Sequence, residues 1–134
     1  MPESPWSGTL RLKSPDGSVT ACIDRAEEIG MGAPTLGTLS LSNGMTLECC
    51  NPSAVWSEDS RYLAIPQWTK GREQRLVVID VREGKIYPST DVFRVLELHD
   101  FRAGVISGID SPAYRPAPIS VRMSVLLAGH NVQR

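Results

Sequence analysis

The sequence predicts an all-β fold: an antiparallel meander of about nine or ten short strands, packed as a sandwich or open barrel. Short runs of alternating apolar and polar residues recur along the chain, as at Leu10/Leu12, Val19/Ala21/Ile23 and Leu39/Leu41. Turn-forming groups punctuate them at Ser14-Pro15-Asp16-Gly17, Ser42-Asn43-Gly44 and Arg82-Glu83-Gly84. The run Leu76-Val77-Val78-Ile79 is continuously apolar and β-branched, which marks a central strand covered on both faces.

The first hairpin is expected around a four-residue loop. Pro15 supplies a φ near −65° and Gly17 closes the turn, which pairs Leu12 with Val19 and Leu10 with Ala21 on one face. In the second hairpin a two-residue Asn43-Gly44 loop would split the apolar residues between faces. A three-residue loop, Ser42-Asn43-Gly44, instead pairs Leu41 with Met45 and Leu39 with Leu47 and puts Gly44 in the left-handed region. The third pair joins Arg61 to Gln67 and Gln74 to Val81 across the polar loop Thr69–Glu73. Lys85-Ile86-Tyr87 follows Gly84 as a strand.

Val92 to His99 reads as a further strand, its pattern also admitting a short helix. Phe101–Gly104 turns the chain into Val105–Ile109. Residues Ala26-Glu27-Glu28-Ile29 suit one helical turn, ended by Gly30, Gly32 and Pro34. Three prolines between Pro112 and Pro118 form an extended connection unable to join a central ladder. Ile119 to Leu127 is the last strand, and Gly129–Arg134 a frayed tail.

With 134 residues, 41% hydrophobic and 22% charged, one all-β domain is expected over residues 1–134, with a core that needs no disulfide or metal. No apolar run approaches the ~20 residues that span a bilayer. The N-terminal residues lack the basic and apolar regions of a signal peptide, so a cytoplasmic location is expected. Cys22, Cys49 and Cys50 form no metal or redox motif and read as reduced, core-filling thiols, with the vicinal pair pointing to opposite faces. The net charge of −1 hides an uneven split: residues 1–60 carry three cations and eight anions, residues 61–134 eleven and seven. No clustered basic excess points to nucleic acid. The acidic half suits a partner with a basic surface, or it neutralises the other half within the fold.

Candidate chemistry is sparse. His99 stands beside Asp100, a conceivable base–carboxylate pair, but no serine or cysteine in a nucleophilic context accompanies it. His99 and His130 lack ligand spacing for zinc, and no cofactor is expected. The carboxylates suit turns and edges better than a glycosidase dyad. Gly30-Met31-Gly32 lacks the Lys-Ser/Thr of a phosphate loop and reads as a tight turn. Trp56 and Tyr62 read as core. Trp68, beside Lys70 and Arg72 near a hairpin tip, reads as an exposed anchor.

The stretch Trp56-Ser57-Glu58-Asp59-Ser60-Arg61-Tyr62-Leu63-Ala64-Ile65, then Leu76–Val81 and Lys85-Ile86, resembles one β-propeller blade of the WD40/TolB-like kind over residues 52–87. That resemblance implies a blade-like sheet within the sandwich or open barrel, turn-tying hydrogen bonds from Asp59 and Arg61, and core roles for Trp56, Leu63 and Val78. A weaker likeness covers the whole chain. Glu28–Thr35, the Asn43-Gly44 turn, Trp56–Ser60 and Gly108–Pro112 look like small bacterial proteins similar to those that neutralise secreted antibacterial toxins.

The leading expectation is therefore a non-enzymatic, cytoplasmic binding domain that occludes a protein toxin, such as a nuclease with a cationic active site. The expected partner-binding residues are Asp24, Glu27, Glu28, Glu48 and Glu58, with Trp68 as anchor. The alternatives are a propeller-related assembly module and a small hydrolase using His99 with Asp100.

Overall fold

The structure, a computed structural model, describes residues 3–132. The strands are β1 (Leu10–Lys13), β2 (Thr20–Ile23), β3 (Glu27–Glu28), β4 (Thr35–Leu41), β5 (Thr46–Cys50), β6 (Val55–Trp56), β7 (Tyr62–Trp68), β8 (Gln74–Asp80), β9 (Lys85–Phe93), β10 (Leu96–Arg102), β11 (Val105–Asp110) and β12 (Ala117–Arg122), before helix α1 (Met123–Val132). Nine strands form one antiparallel sheet in the order β1-β2-β4-β5-β7-β8-β9, with β3 beside β4 and β6 beside β7. The other three form the sheet β10-β11-β12. The all-β expectation holds, as two antiparallel sheets not closed into a barrel. Among the described residues no helix is long and apolar enough to cross a membrane.

The strands β7 and β8 are apolar on both faces because both faces are covered. Leu63, Ile65, Val77 and Ile79 point into a core shared with Leu10, Ala21, Ile23, Leu39 and Trp56. Ala64, Leu76 and Val78 point the other way, against Leu96, Leu98, Phe101 and Ile106 of the small sheet and Leu126 of α1. A single cluster drawing on β1 through β8 requires the large sheet to curl. Trp56 Nε1 donates to Leu12 O across that curl at 2.9 Å, and Asn43 Nδ2 to Val81 O at 3.2 Å. Pro66 sits inside β7 without breaking the β7–β8 ladder. Its carbonyl accepts Asn51 N on the opposite edge, so the missing N–H also falls on that edge.

The turn before β7 is tied by side chains. Asp59 accepts from Ser57 Oγ at 2.6 Å and from Arg61 N at 3.1 Å. The Arg61 guanidinium forks onto Asp80, Nε donating to Oδ1 at 3.2 Å and Nη2 to Oδ2 at 2.9 Å. Asp80 Oδ1 also accepts the amides of Arg82 and Glu83, which shapes the β8–β9 turn. Burial pushes the Asp80 pKa up, but the bonds from Arg61, Glu83 and Arg82 outweigh it and hold the carboxyl below its ordinary value.

The second hairpin has the expected register. Leu39 pairs with Leu47, Leu41 N donates to Met45 O, and Gly44 has φ +99°. The first hairpin keeps the expected face but shifts by two residues, pairing Leu12 with Ala21 and Leu10 with Ile23. The loop starts one residue later because Asp16 accepts from Ser14 Oγ, Ser18 N and Ser18 Oγ. The Ser18 hydroxyl and amide, with the Ser14 hydroxyl, hold the Asp16 carboxyl down at about 2.

Four further expectations are corrected. Ala26–Ile29 makes no helical turn, since Glu27 and Glu28 pair with Leu36 and Thr35. The Val92–His99 strand is broken at Arg94–Val95, whose amides both donate to Asp110 Oδ1 as the chain crosses from the large sheet to the small one. Ile119–Leu127 is strand only to Arg122. The spacing of Met123, Leu126 and Leu127 then presents one apolar helical stripe to the second core. The helix reaches Val132, into the expected frayed tail, while residues 133–134 lie outside the described residues.

Vicinal Cys49 and Cys50 do point apart: Cys49 is exposed at a bulge with φ +62°, and Cys50 is buried. Burial pushes the Cys50 thiol up to about 12. All three cysteines are unbridged.

Two outcomes follow for stability. Asp80→Asn breaks the fork on Arg61 and is expected to cost about 2 kcal/mol in urea unfolding at neutral pH. The folded Asp80 pKa lies below an unfolded value of about 3.9, so its stabilisation is present at neutral pH and fades as pH falls through and below that value. Asp80→Asn should therefore flatten part of the acid limb of the stability curve. Gly108 lies so close to β10 that an added Cβ would collide with the Glu97 carbonyl and the Leu98 Cα. Gly108→Ala should lower stability by about 3 kcal/mol in the same assay.

Candidate protein-binding site

The β3–β4 hairpin carries the most exposed apolar side chain of the described residues. Its tip is the turn Gly30-Met31-Gly32-Ala33, closed by Ala33 N donating to Gly30 O at 2.9 Å. Gly32 takes φ +73°, which a residue with a side chain would resist. Met31, between the two glycines, is 102% exposed. The Gly-Met-Gly run is thus the tight turn expected of it.

The tip is held from below by a polar network. Trp6 Nε1 donates to Gly32 O at 3.0 Å, leaving the indole 37% exposed beside the tip. Thr35, the first residue after the tip to enter β4, donates its amide to Pro5 O and its hydroxyl to Ser7 O. The Thr35 carbonyl accepts two donors, Asn51 Nδ2 at 3.0 Å and Trp68 Nε1 at 2.9 Å. Asn51 Nδ2 also reaches Pro5 O at 2.9 Å. Thr35, Asn51 and Trp68 are all buried, so these bonds form where water competes little.

Trp68 is therefore not the exposed anchor expected from its place near a hairpin tip. It is 8% exposed and fixes the base of a different hairpin. Sequence order misled here because β7 is central and its last side chain points into the fold. The exposed aromatic beside the tip is Trp6, and the exposed apolar group is Met31. Neither lies in a periodic segment, and Met31 between two glycines was the available signal.

The expected acidic residues divide. Glu27 and Glu28 lie on β3, exposed, with no side-chain hydrogen bond or ion pair among the described residues. Asp24 is exposed just after β2 and accepts from Cys22 Sγ at 3.2 Å. Glu48 is exposed on β5, beside the bulge opposite Thr38. All four belong to strands β2–β5 or their connections. Glu58 stands apart: its carboxylate accepts Ala103 N and ties the β6–β7 turn to the β10–β11 turn.

His99 and Asp100 do not pair. His99 Nε2 lies 3.1 Å from Glu97 Oε1, and Asp100 Oδ1 accepts from Ser107 Oγ at 2.6 Å. The side chain of His130 lies outside the described residues. Among the described residues no three His, Cys, Asp or Glu side chains gather to hold a metal ion. No protein-family model matches the chain, and no curated protein matches it significantly.

Trp68→Phe removes one donor from the buried Thr35 carbonyl while keeping most of the ring. Amide exchange at Ile29, Ala33 and Thr35, whose N–H groups are hydrogen-bonded, should quicken by roughly tenfold, the scale of one lost hydrogen bond, while β8 amides change less. Equal acceleration in both places would mean that Trp68 supports the whole core rather than the tip.

Proposed function

We propose that the protein is a non-catalytic, cytoplasmic protein-binding domain that inhibits a toxin by seating the β3–β4 tip in the toxin's cationic active site. The observation that carries this reading is the fully exposed Met31 on a hairpin braced by buried hydrogen bonds, with the carboxylates of Glu27 and Glu28, which make no ion pair among the described residues, on its first strand. A solvent-facing methionine is an adaptable apolar contact. Bracing lowers the ordering cost on binding, which is what gives a loop affinity. The carboxylates supply complementarity to a phosphate-binding site such as that of a nuclease, and they steer association. Asp24 and Glu48 extend the same acidic region. Glu58 serves to join the sheets.

The test is capture from cells of the source organism on immobilised protein, with bound proteins identified by mass spectrometry. The wild-type chain should retain one dominant stoichiometric partner that is toxic when expressed alone. The variant Met31→Asp should weaken that complex by at least about tenfold, and Glu27→Lys with Glu28→Lys should weaken it mainly at low salt. Unchanged capture by both variants would remove the tip from the interface, and an empty capture would remove the inhibitor reading.

A further inference from the structure

We infer that Met31 is a modification site, at which a hydroperoxide switches the β3–β4 tip off by oxidising the thioether to its sulfoxide. The inference rests on the binding role proposed for the tip and adds the regulation of that role.

Among the described residues, Met31 alone of the methionines offers its sulfur freely to water. It is 102% exposed, whereas Met45 is partly buried against the first core and Met123 against the second. Its neighbours do not shield it. Gly30 and Gly32 have no side chains, and even a Cβ added to either would meet nothing within 4 Å. The bracing holds this presentation in place: Ala33 N closes the turn on Gly30 O, and Trp6 Nε1 donates to Gly32 O. A peroxide therefore reaches the sulfur without any opening of the fold.

The step is a two-electron oxidation. A sulfur lone pair attacks one oxygen of hydrogen peroxide, forming the S–O bond as the O–O bond breaks. The departing hydroxide takes the proton of the transferred hydroxyl and leaves as water. Sulfur loses two electrons and the peroxide gains them.

The product is polar where the tip presents an apolar contact. The sulfoxide oxygen is a strong hydrogen-bond acceptor, and seating it against apolar surface strips its water. The indole N–H beside the tip is already donated to Gly32 O and does not take up the new oxygen. At Met45 or Met123 the same change would set a dipole among apolar core residues and lower folding stability. At Met31 no core contact is lost, so binding changes and folding does not.

The test treats the purified chain with hydrogen peroxide, follows each methionine by peptide mapping, and compares partner capture by treated and untreated protein. Met31 should oxidise at least about tenfold faster than Met45 and Met123, with the urea midpoint unchanged as Met31 is converted. The sulfoxide form should hold the partner at least about tenfold more weakly, and methionine sulfoxide reductase should restore capture. Met31→Leu, compared with its own untreated sample, should lose nothing on treatment. Cys49 is an exposed thiol and a second target for peroxide, so Cys49→Ser should leave the loss in full. Equal oxidation rates at the three methionines, undiminished capture by the sulfoxide form, or the same loss in treated Met31→Leu would each overturn the inference and leave the tip's binding role standing. An empty capture by untreated protein would remove that role, and the switch with it.

Discussion

The rest of the structure depends on the pairing of β7 with β8, because this pair separates two cores and contributes to both. Odd-numbered Leu63, Ile65, Val77 and Ile79 enter one, and even-numbered Ala64, Leu76 and Val78 enter the other. An alternating strand has one face to bury, so it needs one layer. A strand apolar on both faces recruits two layers, and this chain supplies the curled large sheet and the small sheet with α1. The Arg61–Asp80 fork spans the same pair of strands where β7 begins and β8 ends. Its bidentate geometry fixes register as well as adding stability.

The candidate site is a peripheral consequence of that frame. Trp68 ends β7, and its indole turns inward to the Thr35 carbonyl. Thr35 begins β4 immediately after the tip, so the central strand reaches the tip through a single hydrogen bond. Asn51 and the Pro5 carbonyl complete the set, bringing the N-terminal segment under the hairpin. The tip's bracing thus comes from residues distant in sequence, while its exposed side chains include Met31, Glu27 and Glu28, with Trp6 beside them.

What was legible in the sequence was what local chemistry decides. The β-branched run in β8, the loop Thr69–Glu73 and the three-residue turn at Gly44 all follow from side-chain period and backbone preference. The errors lie where a side chain from elsewhere intervenes. Asp110 breaks the strand after Phe93 by taking two amides from Arg94 and Val95. Asp16 moves the first loop by gathering Ser14 and Ser18 around itself. The α1 stripe of Met123, Leu126 and Leu127 was visible but overshadowed by the alternation of Ile119, Val121 and Met123. Of the site, the acidic pair Glu27 and Glu28 was legible as charge. Met31 carried only the signal of its two flanking glycines, and the burial of Trp68 was not legible, because it depends on which strand becomes central.

The account's central claim is that the braced tip is the surface that meets a partner. The most direct measurement places a photoreactive amino acid at position 31, with a second variant carrying it at Val125, which is exposed on α1. After irradiation in cells, the account predicts one dominant crosslinked protein from position 31, joined through residues of a cationic pocket, and none from position 125. Crosslinking of that protein only from position 125, or of no protein from position 31, would contradict it.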